Sequence, residues 1–534
     1  GQTDPNVILK SRYNLAVDAV VVTAAGANAA APGSGLAVGS IQCRSTLLNP
    51  TNGCQPLNIF GTNNASDAAL NYIQPGRSGN RATMDTAQFL MEQEVVSGTV
   101  QGTLPWDLPA GKVAVAFGAE YRLEQQRNVG DPQGFGATAL WASGNYTSWA
   151  GQYNVEEGFL EVDAPILKNN IVESLDVQAA GRITSYSTSG MVETWKLGLQ
   201  SQINEDFKLR TVWSEDIRAP IITELFTPPT YAAGVINGVN ALQATKGNVN
   251  LVPEEANTIS AGVVFTPSWI PNLSLSVDFY NILIKKALYT PGATQVLAYC
   301  TPPVKIAVYC SAVFYGTTNG VAGATATLET DGNGVTGGFI NAPADYNGAL
   351  NGINVIPQNA ASQRDSGVDF QGDYKMSLFA GDLDWHLLGN YTDENTRTAV
   401  GITLDGAGNI GQDSNFTSGP KLHMTLAATY TEGPWSGTIQ GRFIGSEVLN
   451  YAWTSGVDVD NNSIPAIGYL DLRGSYKWTD NIQLYAAMDN VANTAPPNIA
   501  YSKANLTTIG GQGYNCQYYD CTGRTYRGGL RFNF

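Results

Sequence analysis

Basic residues and long apolar runs are both scarce in this 534-residue chain. Lys and Arg number 29 against 45 Asp and Glu, and the formal net charge of −16 argues against a nucleic-acid surface, which needs an excess of positive charge. No long window is apolar throughout, and the nearest one, residues 15–31, is interrupted by Asp18 and Asn28, so no transmembrane helix is predicted. The chain starts at Gly1 without a charged and then apolar leader, so we expect any signal peptide to have been removed or to lie upstream.

Motifs for catalysis and for metal binding are also lacking. The 2 histidines are His386 and His423, and neither they nor the cysteines have the spacing of a zinc site. The stretch GAGNIG (406–411) fits the spacing of a dinucleotide-binding turn but does not open into an amphipathic helix. DVDNN (458–462) resembles the start of a calcium loop, but Tyr469 stands where the loop needs a glutamate. We therefore expect no catalytic residue, no cofactor and no metal.

The 6 cysteines fall into three neighbouring pairs: Cys43 with Cys54, Cys300 with Cys310, and Cys516 with Cys521. Many pairings are possible in principle, but each neighbouring pair closes a short loop. We predict three local disulfides, which implies an oxidising compartment; the alternative, a metal site, is disfavoured because the spacings do not match zinc patterns.

Alternation with a period of two recurs along the chain. In LSLSVDF (273–279) the odd-numbered residues are apolar and the even-numbered ones polar. KVAVAFGAEYR (112–122) and YLDLRGSYKW (469–478) alternate in the same way, with charged residues on the polar face. A soluble β-sandwich would also alternate. Full charges on strand after strand, and Tyr or Trp at the ends of the apolar face, instead favour an all-β fold, an antiparallel transmembrane β-barrel.

The connections divide into two sets that alternate along the chain. About fifteen strands are predicted, near 89–104, 111–126, 156–166, 173–186, 190–203, 206–215, 256–266, 273–286, 366–377, 382–393, 420–431, 436–446, 466–478, 481–490 and 523–534. Barrels of the bacterial outer membrane have short periplasmic turns and long outer loops, so the long connections are predicted to face outside. An odd set of strands that begins and ends running inward cannot close a barrel, so we expect further strands upstream.

Several motifs in a fixed order give the chain a family resemblance. They are VWSEDIRAPIITELF (212–226), GNVNLVPEEANTISAG (247–262), LSVDFYNILIKKAL (275–288), NAASQRDSGVDF (359–370), YLDLRGSYKWTDNIQLYAAMDNVAN (469–493) and the terminal GGLRFNF. This series resembles the C-terminal β-barrel of TonB-dependent outer-membrane receptors of Gram-negative bacteria. The resemblance implies a 22-stranded barrel around a plug domain. Residues 1–88 would be the tail of a preceding strand and a long extracellular loop, residues 89–534 would hold the last fifteen strands, and the plug would not be present in this sequence.

The resemblance also suggests where functional residues lie. Arg218, Pro220, Glu224 and Phe226 match the family stretch in which a strand enters an outer loop, and Pro253 and Glu254 match a strand start. We expect Arg218 and Glu224 to form a folding element at the loop base rather than to contact a ligand. In the resembled family the terminal aromatic residue, here Phe534, is read by the assembly machinery.

Aromatic residues in the long connections are candidates for binding a ligand. They are Tyr146, Trp149 and Tyr153 in one loop, Tyr231 in another, and Tyr299, Tyr309 and Tyr315 in a third. Exposed rings can stack on sugars or on aromatic chelators, although the same rings could simply pack the loops on themselves.

The resemblance implies a receptor in the outer membrane that imports a scarce, bulky solute, either an oligosaccharide or a metal-siderophore. Its expected partners are outer-membrane lipid, the plug domain with the N-terminal strands (the rest of the same protein or a second chain), a TonB-type energising protein and the solute. The alternatives are a structural or adhesive barrel and a passive porin.

Overall fold

The computed structural model describes most of the chain. The described residues are 2–4, 7–24, 36–79, 85–130, 148–236, 239–300, 306, 309, 312–314, 329–330, 336–337, 352–410, 419–498 and 515–532.

Fifteen long strands, here β1 to β15, make up the main sheet. In chain order they are Asp85–Leu108, Gly111–Gly130, Trp149–Lys168, Ser174–Tyr186, Gly190–Gln202, Phe207–Arg218, Glu254–Phe265, Leu273–Tyr289, Gln358–Leu378, Gly381–Ala399, Leu422–Glu432, Trp435–Ile444, Ile467–Thr479, Ile482–Asp489 and Thr525–Phe532. Two short strands, Gln2–Asp4 and Ile402–Asp405, bring the sheet to 17. Each of the fifteen predicted strands corresponds to one of these.

Each long strand pairs antiparallel with the next one in the chain. The register of β6 with β7, for example, runs from Arg218 opposite Glu254 to Phe207 opposite Phe265. Short links such as 109–110, 379–380 and 433–434 alternate along the chain with long ones. Asn169 and Asn272 adopt positive φ angles of 51° and 67° in two of the short links, as asparagine readily does. Consecutive hairpins therefore place the short links at one end of the sheet, the short-link end, and the long links at the other, where 187–189 between β4 and β5 is also short.

The main sheet exposes apolar side chains on its outer face and carries charged side chains on its inner face, the reverse of the arrangement in a soluble protein. In β8, Val277 is 52 % exposed on one face, whereas Asp278 on the other face forms an ion pair with Arg210. In β13, Leu470 and Leu472 are exposed, whereas Asp471 between them is buried. Because large exposed apolar surfaces are unfavourable in water, the apolar outer face needs lipid, and the charged inner face needs water or protein.

Aromatic rings collect on the outer face at the short-link end. Phe207 stacks on Phe265 with ring centroids 4.7 Å apart, and Trp269 lies 5.6 Å from Phe265. Trp435 and Tyr476 are 4.4 Å apart on β12 and β13. A row of exposed aromatic rings at one edge of an apolar band is typical of a membrane–water interface.

Between the short strand Gln2–Asp4 and β1, the described residues from 7 to 79 form a small unit of helices and a two-stranded sheet. It contains helices Lys10–Val17, Arg44–Leu48 and Asp67–Ile73, the 3₁₀ helix Pro75–Ser78, and the paired strands Ala19–Val21 and Ile41–Cys43. Its core is formed by Ala16, Cys43, Cys54 and Ile73. The predicted disulfide between Cys43 and Cys54 is present in this core. Its assignment to an extracellular loop stays a prediction.

The long links contain further short elements. Those between β6 and β9 hold helices Ile222–Phe226 and Ala293–Cys300 and strands Thr230–Ile236, Val239–Thr245, Val313–Phe314, Glu329–Thr330, Thr336–Gly337 and Gly352–Val355. Strands Glu447–Val448 and Ser463–Ile464 pair in the link between β12 and β13. The disulfide Cys516–Cys521 is present before β15, whereas Cys310 lies outside the described residues. Among the helices that the structure describes, none is long and apolar enough to cross a membrane.

Candidate functional site

The inner face of the sheet carries a wall of ion pairs. Arg210 donates two hydrogen bonds to Asp278, at 2.7 and 2.6 Å. Arg442 binds Asp471 in the same bidentate way, at 2.8 and 3.0 Å. These pairs join strands that are neighbours or next neighbours in the sheet, so they also fix the spacing of the wall.

Charge is unevenly distributed around this wall. The inner face of β8, β9 and β10 holds six aspartates: Asp278, Asp365, Asp369, Asp373, Asp382 and Asp384. The inner face of β12 to β15 holds five cations: Arg442, Arg473, Lys477, Arg527 and Arg531. An occupant of the lumen therefore meets an acidic sector, which also holds Lys375, and a basic sector, which also holds Asp471 and Asp489, on different strands.

Several cavities open on the described part of the wall, and two of them combine charged with apolar groups. One of about 530 Å³ lies on the acidic sector and is lined by Asp278, Asp369, Asn390 and His423, among others. The Asn390 side chain donates to Asp369 at 2.7 Å. The other cavity, of about 420 Å³, is lined by side chains of β2 to β6. Within it the Arg182 guanidinium donates to Glu157 at 2.9 Å and lies 5.4 Å from the Phe159 ring centroid. Both cavities combine charged groups with apolar surface, as small-solute sites do.

Arg218 connects the end of β6 to the start of β7. Its Nε donates to Glu254 at 2.5 Å, and one terminal nitrogen donates to both oxygens of Glu224 at 3.2 Å. Glu224 also accepts from the backbone N–H of Ile221 at 2.9 Å, and so caps the start of helix Ile222–Phe226. Pro220 lies two residues after the end of the strand, where the absence of an N–H does not break a ladder bond.

The helix after Arg218 is held by close backbone contacts. Asn248 N–H donates to the carbonyl of Glu224 at 2.8 Å, and Gly247 N–H donates to the carbonyl of Thr227 at 2.8 Å. A Cβ placed on Gly151 in β3 would lie 2.5 Å from the Phe226 ring, so this glycine makes room for the ring. The motif residues thus join three strands at the base of a long link, which supports their interpretation as a folding element.

We expect Arg218→Ala to weaken this loop base by about 1–2 kcal/mol, because two carboxylates lose their shared cation. Cleavage of the 219–253 link by chymotrypsin should become roughly tenfold faster, while the sheet stays resistant. Arg364→Ala is the matched control, since Arg364 forms a single, longer ion pair of 3.5 Å with Glu394. Equal cleavage of both variants would contradict this role of Arg218.

The predicted ligand-binding aromatics have different surroundings. Trp149 and Tyr153 lie at the start of β3 on its inner face, where the Tyr153 ring is 6.4 Å from that of Tyr186. Tyr309 is 2 % exposed and lies 5.0 Å from Tyr299 within a loop core. The sites of Tyr146, Tyr315 and Phe534 lie outside the described residues, as does the Tyr231 side chain.

The sequence pattern does not distinguish two carboxylates that the structure buries, Asp471 and Glu447. Asp471 is one of many charges that alternate with apolar residues, and Glu447 lies in a link without periodicity. No group of three or more His, Cys, Asp or Glu side chains able to hold a metal ion occurs among the described residues.

Comparison with known proteins identifies the architecture. The family described as "TonB dependent receptor-like, beta-barrel" matches residues 46–491. A variant of the ferric enterobactin receptor PfeA from Pseudomonas aeruginosa is 14% identical, with a TM-score of 0.55 over 84% of this chain and 54% of that one. The siderophore receptor PirA from Acinetobacter baumannii is also 14% identical, with a TM-score of 0.52 over 83% of this chain and 55% of that one.

These likenesses support the fold alone, because their identity is low. This chain spans about half the length of the solved receptors that it matches. A comparison with curated protein sequences gave no match. Together with the strand registers, the family match confirms the predicted antiparallel β-barrel.

Proposed function

Because this chain belongs to the TonB-dependent receptor-like β-barrel family, we propose that it forms a large part of the wall of an outer-membrane receptor that imports a bulky solute by energised transport. The family match, which extends over residues 46–491, carries this proposal. The apolar outer face and the charged inner wall support it, since a transport barrel needs lipid on one side and a polar occupant on the other.

The long-link end would face outside, and the short-link end would face the periplasm. A plug domain and further N-terminal strands, from the same protein or from a second chain, would complete the barrel, and a TonB-type protein would act on the plug. The transported solute would be either a metal-siderophore or an oligosaccharide. The solved relatives, which are named for ferric enterobactin and siderophores, favour the former.

Uptake measurements test this proposal. A deletion strain complemented with the full-length gene should accumulate a labelled ferric siderophore or oligosaccharide, and accumulation should stop when the energising complex is deleted. The two solute classes are offered separately, so that a response to one of them identifies the cargo.

Two outcomes would favour the alternatives. Uptake that continues without the energising complex would indicate a passive porin. Binding of cells to a surface without any uptake would indicate an adhesive barrel.

A further inference from the structure

Three long links meet at a single carboxyl group, that of Glu447. They are the link between β10 and β11 (400–421), the link between β12 and β13 (445–466), and the link between β14 and β15 (490–524). Glu447 is 5 % exposed, and within the described part of the chain it forms no ion pair with an arginine or a lysine. A buried carboxylate without a counter-ion is costly, so its surroundings must be specific.

The first link wraps directly around the Glu447 side chain. One carboxyl oxygen accepts from the backbone N–H of Lys421 at 3.0 Å. Gly408 passes over the other oxygen with a φ of +73°, and a Cβ there would lie 2.6 Å from it. Val448 N–H donates to the carbonyl of Gly408 at 3.0 Å, and Ile410 N–H donates back to Val448 at 3.1 Å. Residues 406–410 of the GAGNIG stretch thus enclose a carboxyl group instead of a phosphate.

The third link closes over the same place. The Asn515 side chain donates to the carbonyl of Ile410 at 2.7 Å. Tyr519, beside the disulfide Cys516–Cys521, is buried in a core with Ile410, Leu449 and Ile464. Each of the three links therefore contributes backbone or side chains to one packed cluster around Glu447.

One oxygen of this carboxyl group is left without a partner. Within the described part of the chain, Oε2 of Glu447 is buried and accepts no hydrogen bond, and the buried hydroxyl of Tyr519 is unpaired as well. A protonated carboxyl group would avoid burying a charge here, whereas an ionised one leaves an acceptor with nothing to bind.

Few titratable groups act on Glu447. From the first link this is Lys421, and from its own link Tyr451, on which Asp405 of the first link also acts. Tyr519 belongs to the third link, and Tyr469 at the start of β13 adjoins Tyr519, with Arg442 and Asp520 beyond it. Burial raises the pKa of Glu447 from its ordinary 4.5 to about 7, although hydrogen bonds and charge from Lys421 act in the opposite direction.

We propose that Glu447 is a proton-operated latch, which holds the three links together when it is protonated and lets them separate when it ionises. The latch depends on the packing of the links, so it does not require the transport function proposed above. Since the closed state binds the proton more tightly than the open one, its extra stability is fully present below about pH 4.5 and is lost as the pH rises through about 7.

Hydrogen exchange on the full-length protein in lipid nanodiscs tests the latch. Protection of peptides covering 406–410, 447–451 and 515–519 should be on the order of tenfold higher at about pH 5.5 than at about pH 8, after correction for intrinsic exchange. Peptides from β8 serve as the internal reference and should not change.

Glu447→Gln keeps the shape of the protonated group but cannot ionise, so protection should stay high at both pH values. Glu205→Gln, in a short link at the opposite end, should behave like the wild type, because Glu205 is exposed. Equal protection of the wild type at both pH values would overturn the proposal. So would a pH dependence that persists in Glu447→Gln. If that variant does not fold, the comparison of the wild type at the two pH values decides alone.

Discussion

Asp471→Ala should lower the free energy of unfolding of the barrel by about 3–5 kcal/mol, because it leaves a partly buried arginine without its carboxylate. The Asp471 side chain is 2 % exposed. It accepts two hydrogen bonds from Arg442, one from the Gln440 side chain at 3.1 Å and one from the backbone N–H of Asn490 at 2.9 Å. Four donors on β12 and at the end of β14 therefore lose their acceptor together.

Equilibrium unfolding in urea, with the protein in lipid vesicles, measures this loss. Asp382→Ala is the matched control, since Asp382 also faces the lumen and pairs with a cation, Lys375, at 3.2 Å. Both of these side chains are about half exposed, so the control should lose only about 0–1 kcal/mol. Equal losses in the two variants would mean that burial of Asp471 does not matter.

A double variant distinguishes the cost of leaving the Arg442 guanidinium unpaired from the cost of losing the other contacts of Asp471. If the cost comes from the orphaned guanidinium, adding Arg442→Leu to Asp471→Ala should recover part of the stability. Arg442 also lies 5.0 Å from the Tyr469 ring centroid and 3.7 Å from Asp520. Recovery should therefore be incomplete.

The strand order could be predicted from the sequence because lipid imposes a simple rule on each strand. Wherever the outer face contacts lipid, alternate residues must be apolar, and this alternation predicts the fifteen strands. Where a strand extends beyond the lipid, its residues no longer need to alternate in this way. The predicted strand 366–377 is in fact Gln358–Leu378, and its extra residues, including Arg364, are paired with β8 and β10 without apolar alternation. A register shift between Ser366 and Gly367 also breaks the parity there.

The candidate site could be predicted only where it rests on neighbouring strands. Arg218 and Glu254 stand opposite each other in the register of β6 and β7, so pairing of the predicted strands brings the two motifs together. Glu447 could not be found in this way. Its surroundings come from links far apart in sequence, and link packing depends on side-chain shape and turn geometry, which leave no periodic pattern.

Val277→Arg should lower the free energy of unfolding by about 2–4 kcal/mol if the outer face contacts the hydrocarbon region of the bilayer. Val277 stands between Val263 of β7 and Phe370 of β9 in the registers of the sheet, and all three belong to the apolar face. A guanidinium placed there must either enter lipid or displace its neighbours to reach the interface.

The adjacent residue provides the control, because one step along a strand reverses the face. Ser276→Arg places the same side chain in the inner cavity beside Asp278 and Asp369, where carboxylates can accept its hydrogen bonds. Urea unfolding in vesicles should therefore show a large loss for Val277→Arg and a small one for Ser276→Arg. The opposite order would place the lipid on the charged face and contradict the barrel orientation. Equal small losses would mean that neither face contacts hydrocarbon, and the transport proposal would then lose its physical basis.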